Sequence, residues 1–127
     1  MAQVGGIDWL TRLNRIEAAL GVADDTNALA GAAIVPTQGV FHITKGSAAA
    51  YTLAAPVAGL PTVGGQDGLV LRIVSASAFA HVVTTPANAL NGNKHIATFA
   101  AAVGNGIELH AKGGVWLVFV NNGITLT

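Results

Sequence analysis

His42, His81, His95 and His110 are the side chains best suited to chemistry in this 127-residue chain, which has no cysteine and only 6 acidic residues. A neutral imidazole ligates zinc well and exchanges a proton near neutral pH. Metal binding, however, needs several ligands converging on one point. No two of these histidines have the short spacing that puts two ligands on one strand face, and each stands singly in a strand-like run. They read as satisfied or surface histidines. Symmetry supplies one exception, since a histidine on a threefold axis is presented three times and could hold an ion. Without cysteine there is no disulfide, thiolate metal site or thiol nucleophile. No Gly-x-Ser-x-Gly elbow and no His-Glu-x-x-His pair occurs. Gly64-Gly65-Gln66-Asp67-Gly68 lacks the Lys-Ser/Thr of a phosphate loop and precedes a strand, so it reads as a turn. Asp24-Asp25 has no further ligand nearby and reads as linker solvation rather than a cap or a metal pair. Trp9, Phe41, Tyr51, Phe79, Phe99, Trp116 and Phe119 read as core or interface packing. Sugar platforms combine exposed aromatics with carboxylates, which are scarce here. The expectation is a protein that is not an enzyme, with no catalytic residue, metal or cofactor.

The elements that carry these residues begin with a short amphipathic stretch. Arg12-Leu13-Asn14-Arg15-Ile16-Glu17 reads Arg-apolar-x-x-apolar-Glu. This resembles the trimerisation signature of short parallel coiled coils. Leu13 then takes heptad position a, Ile16 d, Arg12 g and Glu17 e, with Trp9 the preceding d and Leu20 the following a. Arg at g reaches Glu at e of the next chain while its methylenes cover the apolar seam. The predicted trimer interface is therefore Trp9, Arg12, Leu13, Ile16, Glu17 and Leu20. The competing reading is an ordinary amphipathic helix packed on its own chain. Asp8 suits the N-cap and Gly21 the C′ position. About a dozen residues is too few for a stable isolated helix. Something larger must hold the chains together.

Composition bounds the remainder. Only 9% of residues are charged, against about 25% in ordinary globular proteins. Hydrophobic residues make up 52%, which excludes a disordered chain. The apolar run at 115–120 is far shorter than the roughly 20 residues a membrane helix needs. No membrane partner is expected. Net charge is +0 and no basic stripe exists to neutralise phosphates, so nucleic acid is not expected either. Low charge and abundant apolar residues suit a protein that hides surface in an assembly. Met1-Ala2-Gln3-Val4-Gly5-Gly6 lacks the features of a secretory signal, which points to synthesis in the cytoplasm.

The chain divides into a helix (1–22), an Ala/Gly-rich linker (23–39) and a β-domain (40–127). Strands are predicted at 40–44, 51–55, 69–75, 81–85, 95–100, 107–111, 115–120 and 124–127. Leu69, Leu71 and Ile73 alternate with Val70, Arg72 and Val74. Lys112-Gly113-Gly114 and Asn121-Asn122-Gly123 are predicted hairpin turns. The fold class is mainly β, with a short N-terminal α-helix as a trimeric coiled coil. About eight strands imply a β-sandwich or jelly-roll-like barrel. Thr52-Leu53-Ala54-Ala55-Pro56-Val57 is echoed by Thr98-Phe99-Ala100-Ala101-Ala102-Val103. Each precedes a Gly and a strand, which fits either a duplicated unit or shared hairpin preferences.

One run extends from Val40-Phe41-His42-Ile43-Thr44-Lys45-Gly46-Ser47 through Ala48-Ala49-Ala50-Tyr51-Thr52-Leu53-Ala54-Ala55-Pro56. It resembles a segment of small structural proteins of tailed phages and prophages. So do Asp67-Gly68, Ala78-Phe79-Ala80-His81-Val82-Val83-Thr84, Ala97-Thr98-Phe99, and Asn105-Gly106 through Gly113-Gly114-Val115-Trp116. The resemblance covers about residues 40–120. It implies a head decoration (cement) protein or a head fibre. Such a protein is a homotrimer on the capsid exterior of a virion, seated on the phage major capsid protein where capsomers meet. The family carries no enzymatic residues. The alternative is a tail-fibre or spike module that binds host-surface glycans, because β-rich trimers also form fibre tips.

Overall fold

The structure is a computed structural model that describes residues 22–24, 33–36 and 38–127. Among the described residues, ten strands form two five-stranded sheets. Sheet A has the order β1 (Val22–Asp24), β3 (Gly39–Ile43), β5 (Val70–Ser75), β8 (Gly106–Lys112), β9 (Val115–Asn122). Sheet B has the order β10 (Ile124–Leu126), β7 (Ile96–Phe99), β6 (Val82–Thr84), β4 (Ala50–Leu53), β2 (Ala33–Ile34). One turn of 3-10 helix, Pro61–Val63, interrupts the long connection from β4 to β5.

The first six strands alternate between the sheets. β1, β3 and β5 run parallel in sheet A, and β2, β4 and β6 run parallel in sheet B. Val22 pairs with Val40 and Ala33 with Thr52, spacings of 18 and 19 residues. Gly39 pairs with Leu71 and Ala50 with Val82, a spacing of 32 in both sheets. The chain thus winds as a two-layered coil, in which each parallel crossover passes through a strand of the opposite sheet. Antiparallel strands then complete the coil. β7 adds to β6, β8 to β5 and β9 to β8. β10 returns to sheet B beside β7.

Alternation along the strands decides the faces. In β5 Leu71, Ile73 and Ser75 point inward, and in β8 Ile107, Leu109 and Ala111 do so. These meet Tyr51, Leu53, Val83, Ala97 and Phe99 of sheet B in one core. Trp116 is fully buried, and its Nε1–H donates to Ala54 O at 2.9 Å, which ties β9 to the segment after β4. Burial of such a side chain contributes about 1.5–3 kcal/mol.

All eight predicted strands are present, with ends shifted by one or two residues. Three features differ from expectation. The sheets do not close into a barrel. β2 lies inside the stretch read as a linker, and β1 straddles its boundary with the segment read as helical, Val22 falling in the latter. The turn at 121–123 is no hairpin but carries the chain from sheet A to sheet B. There the Asn121 side chain replaces a strand partner: its Oδ1 accepts from Ile124 N–H at 3.0 Å and its Nδ2 donates to Ile124 O at 2.9 Å. The echoed segments mark two of the three places where the described chain leaves sheet B for sheet A, β4 to β5 and β7 to β8. The predicted helix, with Trp9, Arg12, Leu13, Ile16, Glu17 and Leu20, lies outside the described residues. Among the described residues, no helix is long and apolar enough to cross a membrane.

Candidate interaction face

The outer face of sheet A is built by the side chains that alternation excludes from the core. Cross-strand register arranges them in rows. One row is Val40, Arg72, Glu108 and Val120; another is His42, Val74, Gly106 and Asn122; a third holds Val70, His110 and Leu117. Between Leu109–Val118 and Glu108–Val120 the register slips, leaving Phe119 as an extra residue on β9. Such a bulge re-aims a side chain. Here Phe119 is turned outward, 73% exposed, with its ring edge-on to His110 at 5.2 Å between centroids.

Arg72, Glu108 and His110 form a polar cluster at the centre of this mixed surface. Arg72 Nε donates to Glu108 Oε1 at 2.5 Å, and Glu108 Oε2 lies 3.1 Å from His110 Nε2. Both carboxylate oxygens are engaged. The hydrogen bond from His110, then that from Arg72, holds the Glu108 carboxyl below its ordinary range. Only Nε of the guanidinium meets Glu108, so its terminal nitrogens remain donors for another molecule. A groove of about 220 Å³ runs beside them, between Arg72 and Val74 on one side and Val120 and Asn122 on the other. Gly106 forms its floor: a Cβ there would stand 2.9 Å from Ile73 O and 3.4 Å from Val74 Cγ2.

The free edge of sheet A is partly shielded. Trp116 N–H donates to Ala89 O, Asn91 N–H to Trp116 O, and Val118 N–H to Asn91 Oδ1 at 2.8 Å. A covered edge discourages strand-to-strand pairing. The face, rather than the first half of the β9 edge, is the surface on offer.

His81 occupies a different setting. It is fully buried between Tyr51 and Phe79. Ala49 N–H donates to its Nδ1 at 3.3 Å, which requires the lone pair on Nδ1 and the proton on Nε2. Nε2–H then faces Ser77 Oγ at 2.9 Å as a donor. A Ser–His couple poised for nucleophilic attack needs the opposite arrangement. This pair is a strut between the segment entering β4 and the turn entering β6.

The structure separates the other sequence candidates. His42 and His110 share the outer face of sheet A, while His95 stands exposed before β7. Among the described residues, no three metal-ligating side chains converge. Asp67 of the glycine-rich turn accepts Gly113 N–H at 2.9 Å and Lys112 Nζ at 3.3 Å, locking the 64–68 turn to the β8–β9 hairpin. Phe41, Tyr51, Phe99 and Trp116 belong to the core, whereas Phe79 and Phe119 are exposed. Sequence reasoning placed Arg72 on the face opposite Leu71 but did not single out its partner Glu108 or the exposure of Phe119. Compared with known protein families, characterised proteins and solved structures, the chain matches none.

Proposed function

We propose that this chain is a homotrimeric structural protein of a virion, which decorates and cements the outer surface of a phage capsid. The observation that carries this reading is the amount of large apolar side chain held outward on sheet A and on one loop. Leu117, Phe119 and Val120 cluster on sheet A, and Val57, Leu60 and Val63 on one loop. Single exposed apolar residues are ordinary, but clusters favour burial against a partner. Charge is sparse in the chain, and the charged side chains beside the sheet A cluster, Arg72 and Glu108, already pair with each other, which limits the desolvation cost of docking on a protein shell. A trimer matches the symmetry of the point where three capsomers meet. Three weak contacts add through effective concentration. A protein that binds the assembled shell and not its free subunits stabilises the shell by mass action. In this reading the outer face of sheet A meets the capsid protein, and Arg72 donates to shell carbonyls or carboxylates.

The test compares capsids with and without the protein. Purified protein should bind assembled shells and not free capsid subunits, and decorated particles should release genome at a higher temperature. Equal release temperatures would overturn cementing.

A tail-fibre or spike role is the second reading, and Phe119 beside His110 and Glu108 favours it. An exposed ring near a carboxylate is how glycan sites are commonly equipped. Immunogold labelling of intact particles separates the two: label over the head supports decoration, and label at the tail supports the fibre.

A further inference from the structure

A second apolar region lies at the other end of the chain's winding, where sheet B ends at β2. A groove of about 530 Å³ opens there, walled by Ile34, Val35, Pro36, Leu53, Ala54 and Pro86. Directly beside it stands the 57–63 loop. Ala54 lines the groove three residues before Val57, and Gln66 Nε2, at the base of the loop, reaches Pro36 O at 3.5 Å.

The loop is exposed yet tightly held. Val57 N–H donates to Gln66 Oε1, and Gln66 N–H to Val57 O, both at 2.7 Å. Gly65 N–H donates to Leu60 O at 2.9 Å, and Asp67 N–H to Gly59 O at 3.0 Å. Gly65 packs so closely that an added Cβ would fall 2.0 Å from Gly59 O. On this frame Val57, Leu60 and Val63 point to solvent, Val63 with 80% of its surface exposed. A rigid apolar projection loses little conformational freedom on docking.

We propose that this groove receives the 57–63 loop of a second copy of the chain. The proposal rests on the trimeric reading above and assigns its contact. Knob and socket are both apolar, and no charged residue occurs anywhere from 46 to 66 or along the groove. Neither surface offers a charged partner anything to pair with. The groove stays open with the loop in place, so the loop does not fill the socket of its own chain. Two different patches meeting make a head-to-tail contact, which closes into a ring when the rotation divides a full turn. Side-by-side placement of knob and socket suits a small ring around a near axis.

The absence of cysteine provides a clean test. Two versions are co-expressed, a tagged Val63→Cys chain and an untagged Val35→Cys chain, and treated with oxidised glutathione. The expected product is a mixed-mass disulfide dimer, at least tenfold more abundant than any dimer from either version alone. A dimer of Val63→Cys with itself would mean that the knob meets its own counterpart, and would overturn the proposal. So would a trimer by sedimentation that gives no mixed cross-link. Two exposed substitutions, Leu60→Asp on the knob and Thr52→Arg in the socket, should each weaken assembly at least tenfold without lowering the melting temperature of the fold. Variants that remain trimeric but lose shell binding would assign the groove to the capsid protein instead. A wild-type monomer would defeat the trimeric reading itself, a result distinct from a trimer without the cross-link.

Discussion

Glu108 and Asp67 make the chemistry of single residues measurable. Their carboxyls are held below the ordinary range, Glu108 by His110 and Arg72, Asp67 by the Gly113 N–H before the Gly59 N–H and Lys112. A carboxyl whose folded pKa is depressed contributes stability that is present above its unfolded pKa and lost as pH falls through the folded one. Melting temperature should therefore hold above about pH 4.5 and decline below about pH 4. The Asp67→Asn and Glu108→Gln variants should show a flatter decline, and an identical acid profile would contradict the assignment. His81 makes a different prediction. In His81→Leu the buried Ala49 N–H loses its acceptor, which costs about 1–3 kcal/mol, readable as a lower urea midpoint. Ser77→Ala should cost less, since the Ser77 side chain is only part-buried. At this scale much was legible: Val70, Arg72 and Val74 opposite Leu71 and Ile73 is a period-2 pattern. Phe119 was not, because its exposure depends on a slip of register against β8, and no residue of β9 announces that slip.

Strands were legible because alternation and glycine turns are local signals. Lys112-Gly113-Gly114 makes the predicted hairpin, with φ of 60° at Gly113 and 80° at Gly114. Parallel pairing was not legible, since the partners stand 18 to 32 residues apart and leave no mark in a short window. β1 and β2, of 3 and 2 residues, are too short to display a period. Two predictions belong to the elements. Trp116→Ala removes both a core ring and the bond to Ala54 O, and should cost about 3–5 kcal/mol in chemical denaturation. Phe119→Ala on the exposed bulge should change stability by less than about 0.5 kcal/mol while lowering affinity for capsids. Unchanged capsid affinity would remove the outer face of sheet A from the contact.

For the whole molecule, the account depends on apolar surface finding cover. The winding of β1 to β6 leaves a knob and a socket side by side, and the outer face of sheet A leaves exposed apolar side chains around a polar cluster. Neither was visible in composition, which reports how much apolar material exists and not where the fold places it. The heptad residues Leu13 and Ile16 supply a further proposed contact, so Leu13→Asp with Ile16→Asp should loosen the N-terminal region while the β-domain stays folded and associated. The most direct measurement is sedimentation equilibrium of the purified chain at micromolar concentration. A mass three times the 12.7 kDa of one chain is the predicted result. A single well-behaved species at 12.7 kDa would contradict it.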